Sequence, residues 1–140
     1  PETVFSCHAK LFLDFFLENW TAVPNSFSDE AYAEYLRCFS NPETVRAMCA
    51  DYRSVSLDLA HDDADRGTQL SCPVLVLWGG EMSKRPGWQT GQNLDMMTVW
   101  KQRAANVRGR ALDCGHFIPE EQPDQLVDAL FEFFESIEND

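Results

Sequence analysis

The sequence predicts an α/β fold in which a helical segment precedes a parallel two-strand βαβα unit, and three observations carry that prediction. Ser71 to Gly80, SCPVLVLWGG, is a near-continuous apolar run that ends in Gly-Gly, the pattern of a strand buried on both faces. Val107 to Leu112 is a second β-rich run that stops at Asp113-Cys114-Gly115, and a helix-like segment lies between the two. A right-handed crossover through that helix makes the strands parallel, so both open on the same edge. Finally, three amphipathic segments precede any strand, which suggests a helical cap.

In chain order, Ala9, Phe12, Leu13, Phe16, Leu17 and Trp20 recur at helical spacing and predict a helix from His8 to Trp20 that Pro24-Asn25 ends. Ser28 is placed to cap a second helix, with Asp29 and Glu30 in its first turn and Tyr32, Tyr35, Leu36 and Phe39 as its stripe. Asn41-Pro42 reads as cap and first residue of a third helix, whose inner face is expected to be Val45, Met48, Cys49, Tyr52 and Leu59. The polar run His61 to Gly67 has no apolar period and reads as a linker. Its clustered carboxylates raise a cation site as the alternative, but the spacing and distal Glu of a calcium loop are absent. Glu81 to Asn93 reads as an irregular loop, Leu94 to Ala105 as a helix, and Gln122-Pro123 as the opening of a last helix. That helix would pack on the sheet through Leu126, Leu130, Phe133, Phe134 and Ile137. The organisation expected is a cap over 1–60, a linker over 61–70 and a strand-bearing core over 71–140.

A formal net charge of -12 and the lack of any basic stripe argue against nucleic-acid binding. Five scattered cysteines without a C-x-x-C pair fit reduced thiols in a cytoplasmic protein. No run approaches the ~18 apolar residues of a membrane span, and no signal peptide is visible. The chain starts at Pro rather than Met, as a processed chain or part of a longer one would.

Chemistry centres on Val107 to Glu121, VRGRALDCGHFIPEE, which delivers His116 just past a strand end, where open α/β folds bind and transform ligands. A lone histidine can equally be a satisfied loop or core residue. Cys114, two residues earlier, raises a Cys-His pair, but positions two apart on an extended turn point away from each other and an inert thiol is favoured. Glu81, just past the first strand, is a candidate acid to orient His116.

The order CPVLVLWG, LDMMTVW, DCGHFIPEEQPDQLVDALFEFF, with MCADYRSV and HDDAD upstream, resembles the last part of an α/β-hydrolase. It is most similar to the haloacetate (fluoroacetate) dehalogenases, relatives of the epoxide hydrolases. The resemblance implies a partial α/β-hydrolase, a helical cap followed by a remnant of the core sheet. It also implies a small haloacid-like substrate cleaved through an ester intermediate, without metal or organic cofactor. His116 matches the base that activates water. Tyr52, in ADYR, matches a cap tyrosine that helps hold the leaving halide, and Trp20, in ENWT, a tryptophan lining the substrate channel; both also suit plain core packing. In the dehalogenases the orienting acid comes from an earlier strand, which weakens Glu81. The nucleophile elbow, G-x-S-x-G or G-x-D-x-G, occurs nowhere in the chain. A lone chain would then be inactive, and its open sheet edges predict a homodimer or association with a separate amino-terminal half. A free-standing binding protein evolved from such a fragment, or an epoxide-hydrolase-like fragment, remains the alternative.

Overall fold

The computed structural model describes residues 1–81 and 95–138. It divides into two compact units, Pro1–Asn19 with Phe27–Gly67, and Trp20–Ser26 with Thr68–Asp140.

The first unit is helical, with α1 (Glu2–Cys7), α2 (Ala9–Trp20), α3 (Asp29–Phe39) and α4 (Pro42–Ala64). The caps form as their residue types require: the Ser28 hydroxyl accepts the Ala31 N–H at 3.1 Å and the Asn41 carbonyl oxygen accepts the Glu43 N–H at 3.0 Å. Leu13 of α2 and Val45 and Cys49 of α4 are buried, and Phe5 packs on Phe12 at 4.3 Å between ring centres. Arg53 and Glu2 pair between α4 and α1.

Two expectations for α4 need correction. The helix continues through His61 to Ala64, where the polar run was read as linker. Residues 61–64 are exposed all round, and a helix with nothing to bury needs no apolar period. For the same reason the expected inner face stops at Cys49: Tyr52 is 69 % and Leu59 60 % exposed.

The second unit holds β1 (Val74–Gly79), α5 (Met96–Lys101), β2 (Val107–Leu112), α6 (Ile118–Glu121) and α7 (Pro123–Glu138). The strands pair parallel, Val74 opposite Val107 through Gly79 opposite Leu112. The expected loop and the first residue of the expected helix fall largely on residues 82–94, outside the described residues. The helix ends at Lys101 rather than Ala105, because Leu70 forms a parallel bridge with Ala104. Its N–H donates to Arg103 at 2.8 Å and its carbonyl accepts from Ala105 at 3.2 Å, so those groups are not free to continue the helix.

Val76, Ala104, Leu112, Cys114 and Ala129 form the buried core. On α7 the inward residues are Leu126, Ala129, Phe133 and Ile137, while Leu130 and Phe134, expected inside, are exposed one step round the helix. A cavity of about 250 Å³ lies between α7 and the sheet, lined by Leu75, Leu77, Gly109 and Phe133 among others, and Arg110 pairs with Glu132 at its rim at 2.7 Å. Among the described residues no helix is long and apolar enough to cross a membrane.

Candidate functional site

Parallel pairing brings both strand ends to one edge, and the turn after β2 is built there. The Cys114 N–H folds back to the Leu112 carbonyl at 2.8 Å, and the Glu81 N–H, just past β1, donates to the Cys114 carbonyl at 3.0 Å. The two chain segments approach so closely that a Cβ on Gly79 would lie 1.7 Å from the Gly115 carbonyl oxygen. Glycine at the end of β1 is therefore a steric requirement of this turn.

His116 follows, exposed, at the carboxyl end of the sheet. Its N–H donates to the Trp20 carbonyl at 2.8 Å. Its imidazole meets the Trp20 ring edge-on at 4.9 Å between centres and the Phe117 ring at 5.2 Å. Two aromatic rings thus flank an accessible imidazole.

Cys114 does not share that exposure. It is fully buried, and desolvation with help from nearby Glu121 and Asp113 pushes its thiol up to about 11. The thiolate that a nucleophile requires is disfavoured there.

The residue that sequence reasoning missed is Glu121, a buried charged side chain, 5 % exposed. One carboxylate oxygen, Oε2, accepts the N–H groups of Ala22 at 2.6 Å, Val23 at 2.9 Å and Gly115 at 2.8 Å. The other, Oε1, accepts the Phe117 N–H at 2.9 Å. Burial alone would push its carboxyl up, but the four backbone donors outweigh it and hold the group below its ordinary value. A local signal existed: Phe117 is the cap of α6, and an acid in the first turn can reach back to the cap N–H.

These bonds explain why Trp20–Ser26 belongs with the strands and not with the helices, although all of 1–60 was expected in the cap. Of the residues singled out from sequence, the fold gathers His116, Trp20, the Glu81 backbone and Cys114 at one strand edge. Tyr52 belongs to the helical unit, with its side chain outward on α4.

No family model matches the chain. It is 37% identical over 112 residues to the soluble epoxide hydrolase of Corynebacterium sp. (strain C12), a stretch covering 79% of this chain and 36% of that protein. It is 32% identical over 137 residues to the fluoroacetate dehalogenase of a Burkholderia species, covering 95% of this chain and 42% of the relative. Among solved structures, ALR0039 of Nostoc sp. PCC 7120, a candidate α/β-hydrolase, superposes with a TM-score of 0.86 at 40% identity, covering 96% of this chain and 44% of that one. The chain therefore spans about two fifths of the length of the proteins it matches.

Proposed function

We propose that this chain, which belongs to the α/β-hydrolases and has dehalogenase and epoxide hydrolase relatives, supplies the general base of a haloacetate-cleaving enzyme, with His116 in that role. A carboxylate nucleophile attacks the halogen-bearing carbon, the halide leaves with the bonding electrons, and an ester links substrate to enzyme. His116 then takes a proton from water, and the resulting hydroxide attacks the ester carbonyl to release the hydroxyacid and the free carboxylate. These 140 residues contain no nucleophile elbow, so the carboxylate comes from outside them. A complementing amino-terminal half that carries the elbow is the partner this reading expects. Glu81 is the local candidate to orient the imidazole.

The observation that carries the reading is the placement of His116, an exposed imidazole at the joint carboxyl end of two parallel strands, flanked by Trp20 and Phe117. The test is hydrolysis of fluoroacetate and chloroacetate by the chain alone and with a family amino-terminal half, wild type against His116→Ala. The chain alone should be inactive and the wild-type mixture active. In the variant mixture the ester should accumulate, with one equivalent of halide released and no hydroxyacid. Full turnover by the variant, or by the chain alone, would refute the assignment.

The identity to the Corynebacterium epoxide hydrolase favours a second reading in which the same base serves after epoxide opening. Assaying a terminal epoxide beside fluoroacetate separates the two, since only one should be consumed at an appreciable rate.

A further inference from the structure

We propose that Glu121 is the positioning residue of the His116 site: its carboxylate holds the amides on both sides of the histidine and the strap behind Trp20, and so fixes the imidazole against the indole. The inference rests on the reading of His116 as a base for its functional meaning, but not for its geometry. Oε2 and Oε1 grip Gly115 and Phe117, the two neighbours of His116 in the chain. Oε2 also grips Ala22 and Val23, just after Trp20. Trp20 in turn accepts the His116 N–H and sets its ring edge against the imidazole. One side chain therefore determines the position of the histidine from two directions, through separate stretches of chain. At 5 % exposure it is shielded from any ligand, so it acts only through what it holds.

The requirement is for a carboxylate, because all four partners are donors. Glutamine has the same size but offers one acceptor oxygen and one donor amide. With its oxygen at the Oε2 position it keeps Ala22, Val23 and Gly115 and turns an N–H toward the Phe117 N–H. Flipped, it keeps Phe117 and confronts the other three. The first arrangement loses fewer bonds, and it releases the residue next to His116.

The test is nuclear magnetic resonance on the full chain, wild type against Glu121→Gln. In wild type the Trp20 and His116 ring protons should show a cross-relaxation contact. In the variant that contact should fall at least twofold and Phe117 amide exchange should rise about tenfold, while amides of the β1–β2 ladder change far less. A purely structural role would lower stability without moving either signal, and that result would overturn the proposal. If Glu121→Gln loses the β1–β2 protection, Gly115→Ala takes its place. Its added Cβ would lie 2.3 Å from the Trp20 carbonyl oxygen and 2.9 Å from Oε1, pushing strap and turn apart with the carboxylate intact. Loss of the ring contact in a folded Gly115→Ala chain supports the proposal; an unchanged contact, or unfolding of both variants, overturns it. The base reading fails separately, through an active His116→Ala, and that failure would leave the positioning result standing.

Discussion

Replacing Glu121 by Gln should remove from the stability a pH dependence that belongs to this one carboxylate. Three bonds to an ionised oxygen become bonds to a neutral one, a loss of ~0.5 kcal/mol each at these buried and part-buried sites, and a stranded Phe117 N–H costs ~1–2 kcal/mol more. The expected penalty near neutral pH is ~3 kcal/mol, a large part of the ~5–15 kcal/mol that holds a domain together. The folded-state pKa of Glu121 lies below its ordinary value, despite burial, because of the Gly115, Val23, Ala22 and Phe117 N–H groups. As pH falls the unfolded chain binds the proton first. The stabilisation is therefore complete above the unfolded pKa, about 4.3, and is lost as pH drops through the depressed folded value. The gap between wild type and Glu121→Gln should stay flat from about pH 7 to about pH 5.5 and narrow below about pH 4.5, since only wild type carries this titration. Urea unfolding followed by tryptophan fluorescence, with both proteins measured at each pH, gives the difference directly and cancels the other carboxylates. A gap under ~1 kcal/mol at neutral pH, or one that widens in acid, would refute the reasoning.

Thiol labelling at mildly alkaline pH should modify Cys7 and Cys72, both exposed, well before Cys114, whose buried thiol is pushed up to about 11. Peptide mapping checks the order, and early labelling of Cys114 would contradict its burial. Val45→Ala, at a side chain 1 % exposed, should cost ~2 kcal/mol by urea titration. Tyr52→Phe, at a side chain 69 % exposed, should stay within ~0.5 kcal/mol of wild type by the same measurement. Gly79→Ala drives a methyl group into the Gly115 carbonyl and should cost ~3 kcal/mol or more, read as a lowered urea midpoint or loss of the cooperative transition.

What the amino-acid order announced and what it concealed divide along the range of the interactions involved. Strand β2 and the caps at Ser28 and Asn41 were legible because local chemistry decides them: a short β-rich run stopped by a glycine turn, and a side-chain oxygen within reach of an amide two or three residues on. The end of α4 was not legible, since an exposed helix and a polar linker share one composition when neither buries a face. The outward turn of Leu130 and Phe134 is a subtler case, because a stripe broader than the contact leaves its margins in water.

At the site the same division explains why one half was visible. His116 draws notice by its residue type and by the strand end it follows, both readable within a few positions. Glu121 stands five residues further on in a stretch rich in acids, and two of its partners, Ala22 and Val23, lie 99 and 98 residues away. The local signal, an acid in the first turn of α6 that can reach the Phe117 cap N–H, accounts for one of its four backbone donors and does not foretell the others. The chain path that returns Trp20–Ser26 to the turn after β2 makes the difference, and that path is a property of the packed second unit. A histidine past a strand end is thus easier to find in a sequence than the carboxylate that holds its neighbours, because that hold is set by contacts the fold has first to create.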